Sequence, residues 1–341
     1  MMLRSLKAVS AAAALAAVLG AQGVIRVNVR LVRVLATVKN PAGELVGTLN
    51  KDDFEVLDNG VGQQVAVFER QTDQPLSIAV MVDASGSTAK DLKFEADSVN
   101  RFFKALFAEG NPQDAVALYS FNYEVTRHNY FTHNQAPLEH SLRLIHGEAG
   151  TSLYDAIYLA SHDLESREGR KVMVIVTDGG DTTSAKDFHA ALNAAQLANT
   201  VIYPVLVMPI TNDAGRNIGG ENALTTMAAG TGGRVFTPSL GAALDRAFSD
   251  IIKDLRTQYL LGYYPKNVPL TKERFHRLLV RVRRPDLRVT ARNGYYGEAE
   301  DDPGARGARI SVTPGGNEES QLRQDTVETP AIAPPNKPSK R

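Results

Sequence analysis

Between residues 24 and 70 the apolar positions recur every second residue. Val27, Val29 and Leu31 alternate with Arg26, Asn28 and Arg30, and Val34, Ala36 and Val38 follow on the opposite parity. A period of two belongs to a strand with one buried face, and the change of parity predicts a bulge at 31–33. Asn40-Pro41-Ala42-Gly43 is a turn sequence, and Asp58-Asn59-Gly60 is a hairpin turn between strands at Phe54–Leu57 and Gln64–Phe68. From Leu76 the pattern changes. Leu76–Val82 is an apolar run broken only by Ser77, as in a strand buried on both faces; Ala115–Phe121 reads as another buried strand, and Val172–Thr177 and Val201–Val207 as strands. Helical periodicity separates them: Asp91–Phe107 (with Phe94, Val99, Phe102, Phe103 and Leu106 as its apolar face), Leu153–Ser166, Ala185–Ala198, Asn222–Ala229 and Leu240–Leu255. Tyr123–His128 is a candidate partner strand for Ala115–Phe121, and Val235–Phe236 a brief strand. Such alternation predicts an α/β fold, a doubly wound and mostly parallel sheet. After Arg256 the period of two returns. Tyr259–Tyr264, then Leu278, Val280 and Val282 alternating with Arg277, Arg281 and Arg283, then Leu287–Ala291 read as strands before the Asn293-Gly294 turn. Neither flanking set buries a core alone, so the two are expected to pack together as a small discontinuous β domain.

At about 150 residues per domain, 341 residues suit one large and one small domain. The predicted division is 24–70 and 257–297 for the β domain and 75–256 for the α/β domain. Residues 298–341 are rich in Gly, Pro, Asp, Glu and Ser, and read as a disordered tail. At the other end, Arg4 and Lys7 precede the apolar run Ala8–Leu19, and small residues follow at Gly20 and Ala21. That order is a secretory signal peptide over 1–21, too short for the ~20 apolar residues of a membrane span. The expected location is therefore exported, periplasmic or extracellular, with an uncleaved anchor as the alternative. Lys+Arg and Asp+Glu both number 38, which argues against a dedicated nucleic-acid binder. The absence of cysteine excludes disulfides, thiolate metal sites and a thiol nucleophile.

Ligand sites of open α/β sheets lie at the carboxyl ends of the strands. Asp83-Ala84-Ser85-Gly86-Ser87 follows the first buried strand, and Asp178-Gly179-Gly180-Asp181 follows Val172–Thr177. Gly150-Thr151-Ser152-Leu153-Tyr154-Asp155 opens a helix. Two carboxylates and several hydroxyls are thereby brought to one end of the sheet, and hard oxygen donors suit Mg²⁺, Mn²⁺ or Ca²⁺. Asp83, Ser85 and Ser87 in the pattern Asp-x-Ser-x-Ser, with Thr151 and Asp178 downstream, resemble the metal-ion-dependent adhesion site of the von Willebrand factor A-type family. The resemblance covers about Leu76 to Leu255. It implies a vWA, Rossmann-like sheet and a divalent cation, Mg²⁺ first and Mn²⁺ or Ca²⁺ as alternatives. Ser85, Ser87 and Thr151 would ligate directly, and Asp83 and Asp178 directly or through waters. A second, narrower resemblance is to an exported subgroup described from Acidobacteria. It rests on Asp52-Asp53-Phe54-Glu55-Val56, Asp58-Asn59-Gly60, Tyr259-Leu260-Leu261-Gly262-Tyr263-Tyr264-Pro265 and Asn293-Gly294-Tyr295-Tyr296.

Neutral hydroxyls leave a cation electrophilic and weakly held, in the ~10⁻⁴–10⁻³ M range of extracellular calcium modules. An open position would then take a Glu or Asp carboxylate of a protein partner. The competing assignments are structural: Ser85 and Ser87 capping a helix near Thr88, Thr151 capping Leu153–Ser166, Asp178 and Asp181 holding their turn, and Asp155 within its helix. Enzyme motifs are missing. Ser85 lacks the Gly-x-Ser-x-Gly elbow, there is no Walker loop, and His128, His133, His140, His146, His162, His189 and His276 show no His-Glu-x-x-His spacing. The basic stretch Lys272–Arg292, opposed by Glu273 and Asp286, reads as the solvated face of a strand pair, with an anion-binding face as the alternative. The leading expectation is a non-enzymatic adhesion module. The alternative is a structural or scaffolding protein of the cell envelope whose metal site only stabilises the fold.

Overall fold

The computed structural model describes residues 31–70, 74–207, 217–269 and 274–297. The signal-peptide and tail expectations, and the strand positions Val27 to Arg30, lie outside the described residues. In chain order the strands and helices are β1 (Val32–Lys39), β2 (Phe54–Asp58), β3 (Val61–Gln63), β4 (Val65–Arg70), β5 (Leu76–Asp83), α1 (Leu92–Glu109), β6 (Ala115–Phe121), β7 (Val125–Thr132), α2 (Gln135–Leu142), α3 (Leu153–Glu165), β8 (Arg170–Thr177), α4 (Phe188–Leu197), β9 (Thr200–Leu206), α5 (Ile218–Thr231), α6 (Ala242–Thr257), β10 (Tyr259–Tyr263), β11 (Phe275–Val282), β12 (Arg288–Ala291) and β13 (Gly294–Tyr296). Among the described residues no helix is long and apolar enough to cross a membrane.

The central sheet has the order β7-β6-β5-β8-β9. Strands β6, β5, β8 and β9 are parallel, and the edge strand β7 is antiparallel to β6. Every residue of β5 is buried, as its apolar run requires, and its side chains divide by parity between two cores. Leu76, Ile78, Val80 and Val82 pack with α1, α2 and α6 through Phe102, Leu138 and Phe248. Ala79 and Met81 pack with α3, α4 and α5 through Ile157, Ala191 and Met227. The fold is therefore α/β, with a mostly parallel sheet covered by helices on both faces.

The flanking segments interleave rather than stack. One sheet runs β12-β1-β10-β4, where N-terminal and C-terminal strands alternate, and the other β13-β11-β2-β3, where a C-terminal pair meets an N-terminal pair at β11 and β2. They enclose a third core around Val34, Val56, Tyr259, Leu261, Tyr263 and Val280. At the junction with the α/β part, Gln258 donates to the hydroxyls of Thr37 and Tyr203 at 3.2 and 3.1 Å. Asp254, 2% exposed, is paired with Lys39 and Arg234.

Several sequence expectations need correction. The Asn59-Gly60 hairpin returns as Val61–Gln63, and Val65–Arg70 leaves for the other sheet to pair with β10. No bulge interrupts β1, which pairs with β10 in regular register from Val32. α2 had no counterpart in the sequence reading: its amphipathic signal is faint, and it is marked chiefly by Asn134, whose side chain accepts from the Ala136 N–H. Val235–Phe236 contributes a single bridge to Val205 in place of a strand. In α1 Val99, Phe102, Phe103 and Leu106 are buried as expected, but Phe94 is 59% exposed and Glu95, at 1%, takes the inward position beside it.

Candidate metal site

Strand β5 ends on Asp83, between β6 and β8 in the sheet. The chain then tightens. The Thr88 hydroxyl donates to the carbonyls of Asp83 (2.9 Å) and Ser85 (3.0 Å), folding residues 83–88 back on the strand end. Helix α1 begins only at Leu92 with Asp91 as its N-cap, so Ser85 and Ser87 do not cap it, contrary to the capping alternative. Their hydroxyls instead lie 3.0 Å apart, Ser85 buried and Ser87 exposed.

Asp83 is fully buried and held by both oxygens. Oδ1 accepts from the Ser85 N–H at 2.8 Å, and Oδ2 accepts from the Thr177 hydroxyl at 2.6 Å. Thr177 Oγ1 in turn accepts from the Gly179 N–H at 3.0 Å. This three-member relay links the end of β5 to the turn that carries Asp178, which is half-buried. Burial pushes the Asp83 carboxyl up to about 6; hydrogen bonds from Thr177 and Ser85 pull it down, and Asp178 pushes it further up. Among the described residues, the side-chain partners that act on it are Thr177, Ser85 and Asp178, and none is cationic.

Thr151 reaches the same end of the sheet by backbone pairing. Glu148 bridges in parallel to Ser85, and the Glu148 N–H donates to the Ala84 carbonyl at 2.9 Å. Three residues on, the Thr151 N–H lies 3.0 and 3.1 Å from the hydroxyls of Thr182 and Thr183, and its carbonyl accepts from the Thr182 N–H at 2.9 Å. The neighbouring Ser152 donates its hydroxyl to the Tyr123 carbonyl at 2.9 Å. Ser152, not Thr151, is the N-cap of α3, and it makes no side-chain cap bond. Thr151 is thus fixed by its backbone, with no bond among the described residues taking up its hydroxyl.

Asp181 and Asp155 have holding roles. Asp181 Oδ1 accepts from the Tyr154 N–H at 3.2 Å and from the Ser184 hydroxyl. Asp155 accepts from the N–H groups of Ala185 and Lys186 at 2.9 and 2.8 Å. Together they clamp the 181–186 segment onto α3. The sequence reading missed Thr177, Thr182 and Thr183 as parts of the site. Thr177 was legible in principle, as a hydroxyl at the inward end of a buried strand beside Asp178.

The donor set is hard and sparsely charged. Among the described residues no three His, Asp or Glu side chains converge as a metal centre. A cation held here would rely on Ser and Thr hydroxyls beside Asp83 and Asp178, a donor set that suits Mg²⁺, Mn²⁺ or Ca²⁺. A buried carboxylate without a counter-charge is what such an ion would neutralise.

No curated protein matches the sequence. Among solved structures, the vWF domain of the type V pili tip protein Mfa5 from Porphyromonas gingivalis is 17% identical, over 53% of this chain and 94% of that one, with a TM-score of 0.45. An aerotolerance-related membrane protein from Bacteroides fragilis is 19% identical over 53% and 98%, TM-score 0.41. The conserved hypothetical protein BatB from Bacteroides thetaiotaomicron is 19% identical over 53% and 98%, TM-score 0.40. The von Willebrand factor type A domain matches residues 77–250, just over half of the chain. That span opens in β5, closes in α6 and takes in every residue of the candidate site, and the chain belongs to the von Willebrand factor type A domain family.

Proposed function

We propose that the protein is an exported, non-enzymatic binding module in which Asp83, Ser85, Ser87, Thr151 and Asp178 hold a divalent cation, with Mg²⁺ as the first choice. The observation that supports this most is Asp83, fully buried, oriented through both oxygens and, among the described residues, acted on by no cationic group. A bound cation supplies the missing positive charge and an open coordination position. Ser85, Ser87 and Thr151 contribute neutral oxygens and so do not quench that charge. Asp83 and Asp178 bind directly or through waters. The group best matched to the open position is a carboxylate of a protein partner, because a hard cation held mainly by neutral hydroxyls stays electrophilic toward an anionic oxygen.

The Ser85 hydroxyl meets the Ser87 hydroxyl and not an imidazole, which fits a ligand better than a nucleophile. The test is calorimetric titration of Mg²⁺, Mn²⁺ and Ca²⁺ into the protein, beside Asp83→Ala and Thr151→Ala. Binding heat that both variants lose, with the circular dichroism spectrum kept, is the expected result. Neither heat nor thermal stabilisation at millimolar cation would end the cation reading. Stabilisation by cation combined with partner capture that survives EDTA would move the function to envelope scaffolding.

A further inference from the structure

Helix α1 turns one carboxyl inward. Glu95 shares the buried face of Leu92, Val99, Phe102, Phe103 and Leu106, while its neighbour Phe94 is left in solvent. It is 1% exposed, and its Oε2 has no hydrogen-bond partner. A buried carboxyl with an unmet oxygen destabilises a fold relative to an apolar side chain of the same size, so the slot is unfavourable for the cation-free protein. The groups that act electrostatically on Glu95 are all carboxylates: Asp83, Asp91 and Asp178. Burial first, and these three charges after it, push Glu95 up to about 8. Two of the three are assigned above to the cation site, so Glu95 lies within electrostatic reach of that site on the side of α1.

We propose that Glu95 is a further acidic residue of the cation site, acting from outside the direct ligand set, its free Oε2 accepting a hydrogen bond from a water in the ion's hydration shell. The inference rests on the cation reading of the preceding subsection. Action through water is the form that agrees with the described residues, among which no three His, Asp or Glu side chains converge as a metal centre. The arrangement also answers a chemical need. Ligands that are mostly hydroxyls hold a cation weakly, and a direct third carboxylate would occupy the position that a partner must use. The charge of a bound ion favours the ionised form of Glu95, and a carboxylate behind the ligands then adds negative charge while leaving that position free. Glu95 is therefore a positioning and affinity-setting residue, and its unpaired oxygen acquires a partner only when the ion is bound.

The test is Mg²⁺ titration calorimetry near neutral pH on the wild type, Glu95→Gln, Glu95→Leu and Asp83→Ala, with melting temperatures measured in EDTA and in millimolar Mg²⁺. Outer partners of metal sites carry about 10–100-fold in affinity, and both Glu95 variants are expected to lose at least tenfold. Glu95→Leu should melt no lower than the wild type in EDTA, since it removes a buried unpaired carboxyl, yet gain less from Mg²⁺. A role in packing alone would lower the melting temperature equally in both conditions and leave the affinity within twofold, and that result overturns the proposal. Should Glu95→Leu fail to fold, Glu95→Gln decides by affinity. Wild-type binding lost in Asp83→Ala but kept in Glu95→Gln refutes the role of Glu95 alone. Absence of Mg²⁺ uptake by the wild type refutes the cation reading and this inference with it.

Discussion

The Thr177 hydroxyl donates to Asp83 Oδ2 across 2.6 Å, from the end of one buried strand to the end of its neighbour, and both residues are fully buried. The bond fixes the carboxylate plane at the head of the sheet. Thr177→Val keeps the side-chain shape but strands two groups, Asp83 Oδ2 and the Gly179 N–H. Leaving buried groups unpaired costs about 1–3 kcal/mol each. Urea denaturation should show a loss of that order, and calorimetry a roughly tenfold weaker cation. An affinity within twofold of the wild type would mean that Thr177 does not orient Asp83 for binding.

The same carboxyl sets a pH dependence. Burial raises Asp83 to about 6 in the cation-free protein, above its ordinary 3.8. The folded state then holds the proton more tightly than the unfolded state, so the contribution to stability falls as pH rises from about 4 to about 6. Cation binding requires the ionised form and runs the other way, weakening by up to tenfold per pH unit below about 6. Melting temperatures in EDTA across this window should flatten in Asp83→Asn. An unchanged slope in that variant would assign the dependence to other groups.

The sheet was legible because buried parallel strands cannot hide: Leu76–Val82 is apolar but for Ser77 and Val172–Val176 is apolar throughout, and their ends deliver Asp83 and Asp178. The interleaving of β1 with β10 and of β2 with β11 was legible only as a need for a shared core, since pairing between segments about 200 residues apart leaves no local signature. Periodicity failed at Phe94 and Glu95, where it ranks side chains by hydropathy and so assigns the phenylalanine inward. A carboxyl in a core slot breaks the pattern, and such breaks gather where a protein trades stability for function. Thr182 and Thr183 were invisible for a different reason. Their partner is the Thr151 backbone, which sequence spacing does not reveal.

Two glycines hold the loops that carry the site. Gly150 has φ +86°, and a Cβ there would lie 2.8 Å from the Tyr123 Cβ. Within α5, a Cβ on Gly220 would overlap the Gly179 carbonyl oxygen, in the turn that follows Asp178. Gly150→Ala strains the segment before Thr151, and Gly220→Ala must displace the 178–180 turn. Each should lower stability by about 1–3 kcal/mol and weaken cation binding, the second through Asp178. Denaturation and calorimetry on both variants check this. Unchanged binding in Gly220→Ala would show that the Asp178 turn is free to move without consequence for the site.

In the flanking sheets one buried carboxylate joins four strands. Asp58, at the end of β2 and fully buried, accepts from Tyr263 of β10 and Tyr295 of β13, each at 2.8 Å, and lies 2.9 Å from His276 Nδ1 of β11. The His276 and Tyr295 rings stack at 4.5 Å. Burial pushes both phenols well above their ordinary range, so they stay neutral donors across the physiological range. Asp58→Ala removes the acceptor and leaves three buried donors facing a cavity, a loss of about 3–5 kcal/mol on the scale of broken buried ionic networks. Asp58→Asn keeps the volume but offers a single acceptor oxygen, and should fall between. Because Gln258 and Asp254 tie these sheets to the α/β part, urea unfolding of the wild type should be one transition, and the variants should shift it whole. The cation affinity of the folded fraction should stay at the wild-type value, since Asp58 touches none of the site's residues. Separate transitions for the two parts would instead assign Asp58 to the stability of the flanking sheets alone.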